Sequence, residues 1–221
     1  HSQTFKKKMP TYKISYFDIR GLGEVARQLL HLSGLPFEDD RIPEKDWETG
    51  KKRKKDMAFG QVPVLKVDGN PIVTSLAINR YLAKQFGFAG RTAVEAALVD
   101  ALADQWMDYF EEVKPFLLVS NGISHGDVFT ETMEEMRKRA ERGMDKHLPM
   151  FERFAKEHGS AGHCVGTSLT WADLLLTDHF RSLRRYFPDA LKEYATLDGL
   201  RRMAEEHPLL SNWRIEHNQP F

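Results

Sequence analysis

The chain lacks the cysteines and the histidine spacing that are typical of metal sites and redox centres. Its single cysteine, Cys164, excludes an internal disulfide, a Cys-x-x-Cys redox pair and a cysteine-rich metal site. Its nine histidines do not recur at a metal-ligand spacing such as His-x-x-x-His. We therefore expect no metal site, and the low cysteine usage favours a reducing compartment such as the cytoplasm.

Two positions offer groups that could hold an anion. Tyr16 lies near the end of Lys13–Phe17, whose β-branched and aromatic residues predict a strand, so its hydroxyl could donate or its ring could simply pack. Ser75 begins Ser75–Phe86, a predicted helix, as its N-cap, where unpaired backbone N–H groups favour negative charge. From the residues alone a packing role is favoured for Tyr16, whereas a capping role and a binding role are compatible at Ser75.

The basic run Lys51–Lys55 stands out in a chain whose 32 basic and 32 acidic residues cancel. It could be a solvated basic face, a nuclear-localisation patch or a nucleic-acid contact. Nucleic-acid binding would be favoured by interleaved aromatic residues and an overall basic balance, and the sequence has neither. We expect a solvated face and no nucleic-acid partner. No apolar run is long enough to cross a bilayer, so no membrane partner is expected either.

Strand and helix patterns alternate in the first part of the chain. After the turn that follows the first strand, Glu24–Ser33 has the apolar spacing of a helix, and Phe37–Ile42 predicts a second strand. Val62–Val67 and Pro71–Val73 flank an Asp-Gly turn and predict a hairpin. The order strand, helix, strand, helix, strand, strand, helix predicts a small α/β domain over residues 9–86.

Strand patterns stop at Gly87–Arg91, which we predict to be a linker. Amphipathic runs predict long helices over Thr92–Val119 and Phe129–Glu157. Thr170 and Asp173 have the spacing of a capping box at the start of a third helix. We therefore predict an all-helical domain over residues 92–221, and an extension outside the fold over residues 1–8.

Six sequence blocks, in this order, resemble the glutathione transferase family, and most of all its sigma-type enzymes and their nematode relatives. They are Met9–Glu24, Phe59–Leu65, Ser75–Leu82, Leu102–Tyr109, Val165–Asp173 and Pro208–Trp213. The resemblance implies a thioredoxin-like N-terminal domain that binds glutathione and an all-α C-terminal domain that helps form an electrophile pocket. It also implies a homodimer, with glutathione as co-substrate and no further cofactor.

The resemblance also assigns roles to individual residues. Tyr16 is implied to be catalytic, donating its phenolic proton to the glutathione sulfur. Pro63 matches the family's cis-proline, which would let the Val62 backbone pair with the cysteinyl part of glutathione. The implied glutathione contacts are Tyr16, Trp47, Lys51, Gly60, Gln61, Val62, Pro63, Thr74, Ser75 and, across the dimer, Asp108. The implied electrophile pocket consists of Phe17, Trp106, Met107 and Phe110.

One hydrogen bond from Tyr16 could supply most of the free energy needed to lower the pKa of the glutathione thiol. A free thiol with a pKa of about 8.5 is mostly protonated at neutral pH, and lowering its pKa by about two units requires about 2.7 kcal/mol. A hydroxyl that donates to a charged sulfur contributes about 1.5–3 kcal/mol. Leu22 stands where several sigma-type enzymes have an arginine near the sulfur, which leaves more of the stabilisation to Tyr16.

The segment after Trp47 departs from the family pattern. The interval from Trp47 to Phe59 is longer than in sigma-type enzymes, so the position of the family's glutathione-binding lysine depends on the residue from which it is counted. The family's spacing counted forward from Trp47 gives Lys51, whereas the spacing counted back from Phe59 gives Lys54. We take Lys51 as the expected contact with the glycyl end of glutathione.

We expect a cytoplasmic glutathione transferase that conjugates glutathione to small hydrophobic electrophiles in detoxification. One alternative is a glutathione-dependent isomerase that converts prostaglandin H to prostaglandin D, an activity found among sigma-type relatives. Another is a non-catalytic binder of hydrophobic ligands, since a fold alone does not settle function.

Overall fold

A computed structural model describes residues 9–50, 54–55, 57–123 and 129–217. The predicted extension at residues 1–8 and the predicted contact Lys51 lie outside these residues. The first part of the chain forms a four-stranded sheet in the order β2-β1-β3-β4. Strand β1 (Tyr12–Phe17) pairs in parallel with β2 (Phe37–Ile42) and antiparallel with β3 (Val64–Val67), which pairs antiparallel with β4 (Asn70–Val73).

Helices α1 (Glu24–Leu32), α2 (Glu44–Thr49) and α3 (Ser75–Phe86) accompany the sheet. Helix α1 crosses over between the parallel strands β1 and β2, as such connections usually do. The prediction that Ser75 is the N-cap of α3 is wrong. Thr74 holds that position with φ 69°, makes no side-chain capping bond, and leaves Ser75 as the first helical residue.

The second part of the described chain is helical. Its helices are α4 (Ala93–Ser120), α5 (Met133–His158), α6 (Trp171–Leu183), α7 (Ala195–Glu206) and α8 (Pro208–Glu216). The predicted capping box of Thr170 and Asp173 begins α6. Helix α5 starts later than the predicted Phe129, because Thr132 and Glu135 form a second capping box there. None of the described helices is long and apolar enough to span a membrane.

Two hydrophobic clusters hold these elements together. The larger runs without a break from β1, α1 and α3 into α4, α5 and α6, so the sheet and the helical part share one core. A smaller cluster consists of Tyr16, Phe17, Ile42 and Trp47. The predicted catalytic tyrosine therefore lies in a small apolar cluster beside the main core.

Buried polar contacts also join the two parts. The Arg20 guanidinium donates to the Asp178 carboxylate over 2.6 Å and to the Ser182 hydroxyl over 2.7 Å. The Trp213 indole N–H donates to the Glu24 carboxylate over 2.7 Å. Because these groups are buried, each needs its partner across the contact, which specifies how α1 docks against α6 and α8.

Glu24 is expected to make stability depend on pH. Burial and then the charge of Asp178 raise its pKa from 4.5 to about 7, against the lowering effects of Trp213, Arg27 and Arg20. The folded state therefore holds this proton more tightly than the unfolded state, and the associated stability is lost as pH rises from about 4.5 to about 7.

In Glu24→Gln this loss should disappear, so the variant gains on the order of 2 kcal/mol relative to wild type between pH 5 and pH 8. Urea unfolding of both proteins at the two pH values measures the difference. An offset between variant and wild type that is the same at both values would contradict the assignment.

Candidate active site

Strand pairing brings three predicted site segments to one end of the sheet. Ser15, Val64 and Val73 lie side by side in β1, β3 and β4. The residues directly beyond them at that end are Tyr16, Pro63 and Thr74. Positions far apart in sequence therefore meet, because β1 and β4 end and the antiparallel β3 begins at this end of the sheet.

The Tyr16 side chain is enclosed by the loop that follows β1. Gly23 packs so closely on the ring that a Cβ there would lie 2.5 Å from it, which explains why this position is glycine. The Leu22 N–H donates to the Tyr16 hydroxyl oxygen over 3.1 Å. Since this bond occupies a lone pair of the oxygen, the phenolic proton is left to donate elsewhere.

The protonation state of Tyr16 matches a hydrogen-bond donor. Burial raises the pKa of Tyr16 to about 12, against lowering effects of the Leu22 N–H and the Arg27 guanidinium. The phenol therefore keeps its proton throughout the physiological pH range. Such a group can stabilise an anion but cannot serve as a general base there.

Arg27, which sequence reasoning missed, holds the loop in place. This fully buried side chain donates to the Phe17 carbonyl over 2.9 Å, the Ile19 carbonyl over 2.7 Å and the Asp39 carboxylate over 3.0 Å. Its guanidinium carbon also lies 5.6 Å from the centre of the Tyr16 ring. One signal was available in the sequence: an arginine among the apolar residues of α1 must be paired if it is buried.

Trp47 and a lysine lie together beside the smaller cluster. Trp47 is buried and packs edge-on against Phe17 with 5.3 Å between ring centroids. The Lys54 ammonium lies 4.9 Å from the centre of the Trp47 ring. Lys54, one of the two lysines weighed from the sequence, thus lies next to Trp47, whereas Lys51 lies outside the described residues.

The Gly60–Pro63 segment precedes β3. The Val62–Pro63 peptide bond is cis, as the resemblance implied. Gly60 has φ 63°, a conformation that favours glycine. Gln61 is exposed and Val62 is half-buried, so the backbone of this segment lies near the surface at the same end of the sheet as Tyr16.

Thr74 and Ser75 form the start of α3, which lies at the same end of the sheet as Tyr16. Thr74 is exposed and Ser75 is buried as the first helical residue. The first N–H groups of a helix have no intrahelical acceptors and carry partial positive charge. This helix start can therefore hold a carboxylate.

A narrow cleft runs between the Gly21–Leu22 loop and helices α4 and α6. Trp106 and Phe110 line it, stacked with 4.6 Å between ring centroids. Its cavity volume of about 20 Å³ has room for roughly one water molecule. Phe17 and Met107, predicted for the same pocket, do not line this cleft. Phe17 packs on Tyr16 and Trp47, and Met107 packs against the main core.

Asp108 is exposed on α4. Two other acidic residues of this helix, Asp100 and Asp104, pair with Arg80 over 2.9 and 3.3 Å. The predicted role of Asp108 concerns a second chain, so a single chain does not test it.

Cys164 and possible metal-ligating clusters were the other chemistry considered from the sequence. Cys164 is fully buried, and burial raises the pKa of its thiol, which disfavours a nucleophilic thiolate. Within residues 9–50, 54–55, 57–123 and 129–217, no group of three or more His, Cys, Asp or Glu side chains could hold a metal ion.

Comparison with known proteins agrees with this geometry. Residues 12–84 match the model of the glutathione S-transferase N-terminal domain, and residues 121–217 match that of the glutathione S-transferase C-terminal domain. Glutathione S-transferase 1 of Ascaris suum is 41% identical over 94% of this chain and 97% of its own length. This chain belongs to the glutathione S-transferase family.

Solved structures of nematode glutathione S-transferases have the same fold. A monomeric enzyme of the hookworm Necator americanus is 34% identical with a TM-score of 0.84, over 96% of this chain and 98% of that one. A Nu-class enzyme of Haemonchus contortus is 35% identical with a TM-score of 0.77, over the same shares. The predicted fold class is thus confirmed: a thioredoxin-like α/β part and a helical part.

Membership of the glutathione S-transferase family also gives the activity and the co-substrate. The chain is a transferase that uses glutathione as co-substrate, as its relatives across nearly the full length indicate. These relatives are nematode enzymes, and the Haemonchus contortus enzyme belongs to the Nu class. The sigma-type assignment stays a prediction.

Proposed function

We propose that this glutathione S-transferase conjugates the thiolate of reduced glutathione to small hydrophobic electrophiles, with Tyr16 as the catalytic donor. The observation on which the proposal rests is the Tyr16 hydroxyl, whose oxygen accepts from the Leu22 N–H while its own proton is retained. Such a phenol can donate a hydrogen bond to a sulfur anion and so stabilise the anion. The thiolate is the attacking species, so its stabilisation at neutral pH raises the rate.

The neighbouring segments would hold the rest of the tripeptide. The start of α3 at Thr74 and Ser75 would bind the γ-glutamyl carboxylate, and the Val62 backbone would pair with the cysteinyl unit. Gly60 and Gln61 would border that unit, and Trp47 with a nearby lysine would face the glycyl carboxylate. These positions share the end of the sheet where Tyr16 lies, which supports one continuous site.

The electrophile would meet the sulfur at the cleft lined by Trp106 and Phe110. With a chloro-nitroaromatic substrate, the sulfur forms a bond to the ring carbon that bears chlorine, and chloride leaves with the electron pair of the broken bond. The cleft must widen for this, because its present volume holds little more than a water molecule.

The test combines spectroscopy with conjugation. Adding glutathione should produce the ultraviolet difference spectrum of a thiolate at neutral pH, and a chloro-nitroaromatic should then be conjugated. Glutathione binding without a thiolate spectrum or conjugation would overturn the proposal and favour a ligand binder. Product analysis with prostaglandin H tests the isomerase alternative, which is disfavoured because Leu22 stands where several sigma-type enzymes have an arginine.

We further propose that Lys54, beside Trp47, faces the glycyl carboxylate in place of Lys51. Lys54→Met should raise the KM for glutathione about threefold, as expected for loss of an exposed ion pair, and leave kcat nearly unchanged. Lys55→Met is the matched control, because Lys55 is equally exposed and adjacent. If Lys51→Met raises KM and Lys54→Met does not, the count forward from Trp47 is correct.

Asp108 is proposed to reach the γ-glutamyl ammonium of a second protomer in a homodimer. Asp108→Asn should then raise the KM for glutathione several-fold, an effect of about 1 kcal/mol. Asp104→Asn is the matched control one helical turn away, since Asp104 already pairs with Arg80. Sedimentation of the wild type decides the oligomeric state, and a monomer with normal KM would overturn this role. A larger effect of Asp104→Asn would move the role to that residue.

The remaining assignments are proposals on the same basis. We place the division between the α/β and helical domains at residues 87–91, and we place the enzyme in the sigma type. The single buried cysteine is compatible with the cytoplasm, where conjugation of electrophiles would serve detoxification.

A further inference from the structure

Three buried polar side chains that line the cleft beside the Gly21–Leu22 loop each have an unpaired atom. Asn79 on α3, Trp106 on α4 and His179 on α6 are at most 3% exposed. Among the described residues, the atoms Asn79 Oδ1, Trp106 Nε1 and His179 Nδ1 have no hydrogen-bond partner. A buried polar atom without a partner costs free energy, so three such atoms around one cleft indicate a small polar ligand that they share.

The unpaired nitrogen of His179 is a hydrogen-bond donor. Burial lowers the pKa of His179 to about 4, so the ring is neutral at physiological pH. Its Nε2 atom lies 3.0 Å from the hydroxyl oxygen of Tyr109, and burial raises the pKa of that phenol, which therefore keeps its proton. Because a buried phenol needs an acceptor, the Tyr109 O–H donates to Nε2. The proton of the neutral imidazole is then on Nδ1.

Two donors and one acceptor match a water molecule. The Trp106 indole and the His179 ring can donate to a water oxygen, and the Asn79 oxygen can accept from one of the O–H groups of that water. The cleft volume of about 20 Å³ admits one water-sized molecule and is too small for an organic ligand. Two N–H donors disfavour a metal cation, whereas the Asn79 oxygen and the Asp178 carboxylate on the wall disfavour an anion.

The same cleft borders the loop that holds Tyr16. Gly21 and Leu22 form part of its wall. The Leu22 N–H donates to the Tyr16 hydroxyl oxygen over 3.1 Å, and a Cβ on Gly21 would lie 2.7 Å from that oxygen. A molecule bound in the cleft therefore lies against the loop that orients the phenol.

We propose that the cleft binds one ordered water molecule that bridges Asn79, Trp106 and His179 and holds the Gly21–Leu22 loop against the three helices. Buried waters typically make about three hydrogen bonds to polar groups that the protein leaves unpaired. Asn79 is then a positioning residue, which acts on the glutathione thiolate through the water, the loop and Tyr16. This positioning role rests on the proposed function of Tyr16, whereas the water site does not.

Nuclear magnetic resonance of the full chain with nitrogen-15-labelled tryptophan tests the water site. The indole N–H of Trp106 should show a cross-peak to a long-lived water molecule. Trp171 is the matched control, because it is fully buried and its Nε1 also has no acceptor among the described residues, but it does not line the cleft. Trp106→Phe and Trp171→Phe assign the two signals. Absence of the cross-peak at Trp106, or an equal one at Trp171, would overturn the proposal.

Asn79→Leu should displace the water, since it replaces the acceptor with an apolar group of similar shape. The Trp106 cross-peak should disappear, and the pKa of bound glutathione should rise by about half a unit. The kcat for conjugation should then fall about threefold at neutral pH, with a smaller change in KM. Asn79→Ser is the matched control, because it keeps a hydroxyl acceptor on α3 and should retain the cross-peak and the thiol pKa.

Failure of this proposal can be told apart from failure of the catalytic role of Tyr16. Loss of the cross-peak in Asn79→Leu with an unchanged thiol pKa would overturn the positioning role, and equal behaviour of the two Asn79 variants would overturn the water bridge. A wild type that shows the cross-peak but no thiolate spectrum would overturn the role of Tyr16 and leave the water site standing. If Asn79→Leu does not fold, the wild-type cross-peak and Asn79→Ser still test the site.

Discussion

Tyr16→Phe is expected to lower kcat/KM for conjugation of a chloro-nitroaromatic about tenfold to a hundredfold. The variant keeps the ring, and with it the packing against Phe17 and Gly23, but loses the proton that stabilises the sulfur anion. A hydrogen bond to a charged group contributes about 1.5–3 kcal/mol, which corresponds to this range of rates. Steady-state kinetics at neutral pH measures the change.

The same variant should raise the pKa of bound glutathione by about one to two units, toward that of a free thiol. The pH profile of kcat/KM should shift upward with it, so the variant regains part of its activity in alkaline solution. In the wild type used for comparison, ionisation of the Tyr16 phenol does not interfere, since the pKa of Tyr16 is about 12. Ultraviolet titration of the thiolate gives the pKa directly.

Tyr12→Phe is the matched control for Tyr16→Phe. Tyr12 lies on the same strand and is equally buried, but it packs on Phe86 at the other end of the strand. Its loss of a hydroxyl should leave both the rate and the thiol pKa unchanged. Full activity of Tyr16→Phe, or an equal loss in Tyr12→Phe, would remove Tyr16 from the catalytic role.

Arg27→Met should have the largest effect on stability, lowering the free energy of unfolding by about 3–5 kcal/mol. The substitution leaves the Phe17 and Ile19 carbonyls without their donor, and it leaves the Asp39 carboxylate with one cation fewer. Activity should fall through kcat more than through KM, because the loop that donates to Tyr16 loses its support. Urea unfolding and steady-state kinetics give the two quantities.

Arg41→Met is the control for the Asp39 interaction, since Arg41 binds the other oxygen of Asp39 over 2.8 Å but is more exposed. It should cost no more than about 1 kcal/mol. Arg27→Lys is a milder second variant that keeps the test decisive if Arg27→Met does not fold. The single nitrogen of lysine cannot occupy the three positions from which Nε, Nη1 and Nη2 of Arg27 reach separate acceptors, so its stability and kcat should lie between those of wild type and Arg27→Met. Equal stability of the Arg27 and Arg41 variants would contradict the proposed support of the loop.

Local patterns in the sequence predicted most of the elements. Phe37–Ile42 and Ser75–Phe86 occur with the predicted bounds, because side-chain periodicity acts between near neighbours. The Thr170–Asp173 capping box also involves residues three apart. Where a nearby cap was overlooked, as at Thr132, the predicted start of α5 was displaced.

The site was predicted in a different way. Tyr16 and the cis bond before Pro63 were identified through the resemblance, since a strand-end tyrosine and an X-Pro pair do not by themselves define a site. Of the residues predicted for the electrophile pocket, Trp106 and Phe110 line the cleft, whereas Phe17 packs on Tyr16 and Trp47. Their role toward an electrophile stays a prediction.

The sequence by itself determined the order of strands and helices and the family, and it supplied the prediction that the Tyr16 phenol serves thiolate chemistry. Only the tertiary structure decided that Arg27 supports the Tyr16 loop, that Lys54 lies beside Trp47, and that Asn79, Trp106 and His179 line one cleft. The physical reason is distance along the chain. Periodicity and capping depend on residues a few positions apart, whereas ion pairs, buried donors and cavities depend on how separate elements pack.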